Sequence, residues 1–339
     1  MNFMNMMQPL SQQATFSMPD YYVWCPSIMQ STDGRYYLFF SRWPKTTGFQ
    51  GWVTHSEIAY AIADEPMGPY SFEGVVLGKN DMGWDRDVAH NPKIFYDNGM
   101  YYLYYMGTYG PTLDEVPVST SSKIWWDYRN NQRIGVATAS HPEGPWHRQA
   151  EPVIDVRSGL WDSLMTSNPT ICKGSEDTYV LMYKGVSDKE QTGTEAVNAG
   201  VAFSKHPMGP FTRMDMPVIS NPEHAWAVED PFIWYQDGRY YGLIKDFNGY
   251  YTGGVRHTVG LFESKDAISW APAQHPLAFR RELVWEDGSV TPVTYLERPH
   301  IYFEDNVASI LICAVLPNEE QLSMLVFIQL QPEASEDSE

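Results

Sequence analysis

Five prolines, Pro26, Pro92, Pro169, Pro231 and Pro299, each open an aromatic, β-rich run, and the two residues ahead of them change every time. The dipeptides are Trp24-Cys25, His90-Asn91, Ser167-Asn168, Glu229-Asp230 and Glu297-Arg298. Three carboxylates, a histidine and a guanidinium at equivalent places in a repeat are the material of general acid–base chemistry, provided the repeats bring them together. Upstream of the second copy, "WDRDVAHNP" adds Asp85 and Asp87. The third copy reads "WDSLMTSNP", so Asp85 has a counterpart in Asp162 while Asp87 has none. Repetition favours a structural role for Asp85 and Asp162 and makes Asp87 the better catalytic candidate.

What must position these residues is the repeat itself. The prolines are 66, 77, 62 and 68 residues apart, and five such units account for the chain. A fixed period of this kind is read before any local element. Within a unit a short strand follows the Pro, then a turn such as "TDGR", "DNGM" or "QDGR", then an aromatic return strand such as "YYLFF" or "YYLYY". Asp-Gly and Asn-Gly between β-rich runs are hairpin signals. A third strand ("EIAYAIA", "RIGVATA", "GVAFS", "VGLFES") leads into another tight turn and a fourth strand. The pattern predicts an all-β chain, a five-bladed β-propeller with four antiparallel strands per blade. The last unit runs out after three strands, so the N-terminal stretch around "QATFSM" is expected to supply the outer strand and close the ring. Residues 1–332 form one domain, with blades beginning near 24, 90, 167, 229 and 297, and residues 333–339 read as an acidic tail.

Bulk properties narrow the partners. The 339 residues carry a formal charge of −19, which disfavours nucleic acid and anionic membrane, both of which demand a basic face. Three cysteines without ligand spacing indicate neither a disulfide framework nor a zinc motif. No signal peptide is visible and no apolar run reaches spanning length, so the expectation is a cytoplasmic protein, or a periplasmic one if a leader has been removed. A homodimer is compatible with the sequence.

The connections between second and third strands, and those between blades, are long, whereas the other turns are short. In an up-and-down meander both long sets emerge on one face, where function concentrates. That face should gather the dipeptides and also Arg42, Trp43, Arg133, Lys184, Lys245 and Asp246 from strand ends. The expected substrate-binding set is Trp24, Arg42, Trp43, His90, Asn91, Arg133, Asn168, Lys184, Lys245, Asp246 and Arg298. Trp125, Trp126 and Tyr128 of "KIWWDY" lie in the longest connection, to stack on a sugar or to pin the loop.

Carboxylates converging on an aromatic and cationic funnel suit glycoside hydrolysis, in which one carboxylic acid protonates the leaving oxygen while another carboxylate activates water or attacks the anomeric carbon. The alternative is that Glu229, Asp230 and Glu297 only neutralise Arg298 and the lysines.

The "-DP-I-" frame, the "G-YYL-Y" strands and the "GVA-S--P-GP" turn resemble the five-bladed propeller glycoside hydrolases of families 43 and 117 and their relatives, over residues 20–332. The resemblance implies an inverting enzyme, and a dead-end funnel suits exo action on an oligosaccharide or a small substrate. The resemblance also implies that Asp230 of "EDPFIW" orients the base or tunes its partner, and that Glu297 of "LERPHI" donates the proton, with His300 or His90 as rival donors. "DVAHNP" resembles the motif carrying the base, but Asn91 stands where an Asp is expected. Asp87 takes that role instead, with Glu229 second. The cationic set would bind an acidic, sulfated or anhydro sugar, or merely balance the carboxylates. No cofactor is required, and a structural divalent cation held by His90 or His300 is compatible with the funnel. The rivals are a non-catalytic carbohydrate-binding propeller and a glycoside phosphorylase.

Overall fold

The computed structural model of the protein describes residues 1–113 and 118–331; the acidic tail expected at 333–339 lies outside the described residues. Five four-stranded antiparallel sheets surround one axis. Blade 1 runs from the inside outward as Tyr21–Gln30, Tyr36–Pro44, Glu57–Ala63 and Ser71–Leu77. The innermost strands of blades 2 to 5 are Val88–Asp97, Met165–Lys173, Val228–Gln236 and Tyr295–Glu304. The fifth sheet is completed by Thr15–Phe16, whose Thr15 pairs with Val326. The N-terminal segment thus closes the ring, as the truncated last repeat predicts.

Each innermost strand breaks register across the same dipeptide and Pro: between Trp24 and Ser27, His90 and Lys93, Ser167 and Thr170, Glu229 and Phe232, and Glu297 and His300; the last strand breaks again between Tyr302 and Phe303. The residue before each Pro is left-handed, with φ of 53, 55, 54, 58 and 57° at Cys25, Asn91, Asn168, Asp230 and Arg298. Asn and Asp tolerate this region best, which accounts for three of the five; Cys25 and Arg298 are held there by the surrounding fold. A bulge re-aims a side chain. Here all five pre-proline side chains line one narrow cavity of about 40 Å³ on the axis. Of the residues one step earlier, Trp24, His90, Glu229 and Glu297 line the larger cleft beside it.

In three blades the residue after the Pro ties it to a neighbouring blade. The Ser27 hydroxyl accepts from the Ile94 amide (3.0 Å), Thr170 from Ile233 (3.2 Å) and His300 Nε2 from Ile28 (3.2 Å). Asp85 and Asp162 do equivalent work in their blades. Asp85 accepts from Tyr105 Oη (2.6 Å) and pairs with Arg148 (2.7 Å), while Asp162 accepts from Tyr183 Oη (2.9 Å) and pairs with Arg157 and Arg213 (3.0 and 3.1 Å). Both bind the lead-in of an inner strand to the outer strands, as the repeat suggested.

Several elements have no periodic pattern to announce them, among them the short helices Phe3–Met6, Trp52–His55 and Lys189–Thr192. An α-helix, Lys123–Asn130, sits in the longest connection and is capped by Ser122, whose Oγ accepts from the Ile124 amide. Eight residues are too few for a 3.6-residue period to stand out. A small hairpin, Glu282–Val284 with Val290–Pro292, lies between blades 4 and 5 and binds the N-terminal segment through Leu10. No helix of the described residues is long and apolar enough to cross a membrane.

Candidate active site

The elaborated face opens into a cleft of about 280 Å³ over the axis. Its floor is ionic. Glu229 accepts from Lys184 (3.1 Å) and Lys245 (2.9 Å), and Lys245 also pairs with Glu297 (2.5 Å). The four groups form an alternating run, Lys184–Glu229–Lys245–Glu297, contributed by blades 3, 4 and 5. One layer down, Asp230 pairs with Arg298 (2.5 Å) and accepts from Asn168 Nδ2, while its second oxygen has no partner among the described residues.

These contacts split the carboxylates. Burial pushes Glu229 upward, but Lys245, Lys184 and Arg298 outweigh it and hold the carboxyl well below its usual range. For Asp230 burial wins: Arg298 opposes it, Glu229 adds to it, and the group is raised to about 7. Burial lowers Lys184 despite Glu229, whereas Lys245, buried between two glutamates, is pushed up by them. Glu229 is therefore a fixed anion, suited to attack or to charge stabilisation.

The walls are aromatic. Trp24 meets Phe49 edge-on (5.2 Å), Phe49 stacks on Tyr295 (5.7 Å, 15°), and Trp52 stacks on His90 (5.1 Å, 28°). Trp226 completes the lining, and the fully buried Trp43 backs Phe49 and His90. Rings of this kind offer flat apolar faces to a sugar.

Of the residues expected from sequence, the cleft gathers Trp24, Trp43, His90, Lys184, Lys245, Glu229, Glu297 and Arg298. Asn91, Asn168, Asp230 and His300 line the axial cavity beneath it, which Arg298 also reaches. Four do not join them. Asp87 accepts from the Gly110 amide (3.0 Å) and faces Arg86 (3.7 Å). Arg42 pairs with its cross-strand neighbour Glu57 (2.8 Å). Arg133 pairs with Asp155 (2.7 Å), and Asp246 accepts from the amides of Asn248, Gly249, Tyr251 and Thr252, organising its own loop.

Phe49, Gln50, Trp52, Trp226 and Tyr295 were not anticipated. Tyr295 had a signal, since it stands two residues before Glu297 and so shares its strand face. Phe49, Gln50 and Trp52 lie on two helical turns, Phe49–Gly51 and Trp52–His55, too short for a period to show, and Trp226 lies in a loop.

The histidines do not form a divalent-cation site. His90 Nδ1 faces Ser56 Oγ (2.7 Å) and its Nε2 the Cys25 thiol (3.6 Å). His300 Nδ1 faces the Lys93 amine (3.4 Å) and its Nε2 meets the Ile28 backbone (3.1–3.2 Å), so both ring nitrogens are engaged. Among the described residues no group of three His, Cys, Asp or Glu is placed to hold a metal ion. Burial pushes the Cys25 thiol to about 12 and holds His90 well below its usual value, so this neighbouring pair is neutral.

No protein-family model matches the sequence, and no curated protein sequence does. Solved structures do match it along nearly its whole length. Zg3597, a family 117 glycoside hydrolase of the marine bacterium Zobellia galactanivorans, is 17% identical with a TM-score of 0.65, over 96% of this protein and 89% of that one. CoXyl43, a family 43 β-xylosidase/α-arabinofuranosidase from a compost microbial metagenome, is 15% identical with a TM-score of 0.63, over 98% and 96%. BT0996, solved as an RGII complex, is 13% identical with a TM-score of 0.71, over 99% and 96%. The protein has the five-bladed β-propeller fold that these solved structures share.

Proposed function

We propose that the protein is a glycoside hydrolase that removes a terminal sugar from a neutral oligosaccharide. The observation that carries this reading is the pair Glu229 and Glu297, meeting on Lys245 at the bottom of an aromatic cleft on a propeller axis. The fold shared with named glycosidases supports it.

Exo action is supported by the closed floor: the axial cavity beneath the cleft, about 40 Å³, is too narrow to pass a sugar. A neutral substrate is supported by the charge balance. Lys184, Lys245 and Arg298 are each paired with a carboxylate, and Arg42 and Arg133 are engaged elsewhere. Among the described residues no free lysine or arginine lines the cleft for a uronate, a sulfate or the phosphate of a phosphorylase.

The glutamate spacing supports retention of configuration rather than the inversion that the resemblance implies. Their nearest oxygens lie 2.9 and 2.5 Å from one nitrogen, so they are no more than about 5.4 Å apart, short of the roughly 6.5–9.5 Å that inverting pairs need. In this mechanism Glu229 attacks the anomeric carbon while Glu297 gives its proton to the departing oxygen. Glu297 then takes a proton from water, which attacks the anomeric carbon and frees Glu229. Asp230 and Arg298 hold the floor and tune Glu229.

One observation favours a second reading. Every carboxylate at the site is already ion-paired, which suits a propeller that binds carbohydrate without cleaving it. Screening 4-nitrophenyl glycosides and neutral oligosaccharides for released monosaccharide separates the two. Full activity in both Glu229→Gln and Glu297→Gln on a confirmed substrate would overturn the assignment.

A further inference from the structure

Trp125 and Trp126, adjacent on the helix Lys123–Asn130, take no part in the ionic chemistry, yet they join two parts of the rim. Trp125 Nε1 donates to the Gln50 carbonyl (3.2 Å) and Trp126 Nε1 to the Thr120 carbonyl (2.9 Å). Gln50 belongs to a blade 1 connection and Thr120 to a blade 2 connection. Both line a second cleft, of about 390 Å³. The helix therefore staples its two banks.

This cleft adjoins the first. Phe49, Gln50 and Tyr295 line both, so the stacked Phe49–Tyr295 pair is the sill between them. Each cleft is close to the size of a small-ligand site. The second is lined by the Phe49 and Tyr295 rings together with the neutral hydrogen-bonding groups of Gln50, Ser119 and Thr120. Among the described residues Glu319 is its one charged group, and neither Lys nor Arg lines it. A hydroxyl-rich neutral ligand suits such a lining, whereas an anionic one would face Glu319 with no cation to offset it.

We propose that this second cleft is a sugar subsite, which holds the neutral unit or units next to the terminal sugar bound at Glu229 and Glu297. The proposal rests on the hydrolase reading and deepens it: the preferred substrate is a neutral oligosaccharide of more than one unit, crossing the Phe49–Tyr295 sill. Its preorganisation comes from the two tryptophans, so a ligand need not order the loops as it binds.

The test uses Ser119→Tyr, which fills the cleft, and Trp126→Phe, which removes one staple. The kcat/KM of each is measured on a 4-nitrophenyl glycoside and on the linear trisaccharide of the same neutral sugar. The expected result is a wild-type preference for the trisaccharide, and a fall of roughly ten-fold or more in the trisaccharide-to-nitrophenyl ratio in Ser119→Tyr, with a smaller fall in Trp126→Phe. An unchanged ratio in Ser119→Tyr overturns the proposal, even if both rates drop. If neither substrate is cleaved, the hydrolase reading fails and calorimetric binding of the trisaccharide and of its methyl monosaccharide decides the subsite. A trisaccharide advantage lost in Ser119→Tyr supports it, and equal affinities overturn it.

Discussion

Glu229 and Glu297 leave different blades and converge on a single atom, Nζ of Lys245, at 2.9 and 2.5 Å. Two buried carboxylates this close repel each other unless a cation stands between them. Lys245 supplies it, and the two glutamates in turn hold its proton against the effect of burial. The pair is thus a product of the ring: neither blade could make it alone.

Replacing Lys245 with Met should therefore damage stability and chemistry together. Removing one partner of a buried ionic cluster costs about 3–5 kcal/mol. One glutamate should then keep its proton to higher pH, moving the acid limb of the kcat/KM profile upward. Urea denaturation and a pH–rate profile check both effects.

The two carboxylates should fail differently. Glu297→Gln removes the proton donor, so kcat on an oligosaccharide should fall by about 10²–10⁴, while a nitrophenyl leaving group, which needs little protonation, should be much less affected. Glu229→Gln should lose both substrates alike. Equal losses in the two variants on both substrates would contradict the division of roles.

Much of this arrangement was legible because the repeat constrains it. Five Pro-led units and their Asn-Gly and Asp-Gly turns define the blades, and the missing strand of the last unit points to the N-terminus. The dipeptides mark the inner strands for the same reason. What the repeat does not encode is side-chain direction at the ends of strands and in loops. Arg42 looks available until the register sets it opposite Glu57. Asp246 looks like a ligand until its own loop folds over it. Asp87, which no other blade repeats, proves to fix a local turn through Gly110. Trp52 and Trp226 reach the cleft from connections with no period to read.

Asp162 tests the converse, that a repeated carboxylate is structural. It is fully buried against Arg157, Arg213 and Tyr183. Asp162→Ala should lose about 3–5 kcal/mol, since two guanidinium groups are left without their shared anion. Activity per folded molecule should change little, which denaturation and active-site titration can separate.

Lys93 gives the fold a pH signature. Its buried amine faces His300 Nδ1 (3.4 Å) and the Phe232 ring (4.1 Å), with no carboxylate partner among the described residues. Burial lowers it from 10.5 to about 7. Between about pH 7 and 10.5 the unfolded chain holds this proton and the native chain does not, so this group's contribution to stability rises with pH there and is lowest below 7. Asp230, raised to about 7, acts with the opposite sign, its contribution falling as pH rises from about 4 to 7. Subtracting wild type from Lys93→Met cancels Asp230. The variant should be more stable by about 1–4 kcal/mol at about pH 6, and its advantage should shrink toward about pH 10.

The most direct test of the central claim is the configuration of the sugar first released, followed by proton NMR during the opening minutes of hydrolysis. If Glu229 and Glu297 form the catalytic pair at the spacing set by Lys245, the product appears with the anomeric configuration of the substrate and mutarotates only later. Immediate appearance of the opposite anomer would contradict that account.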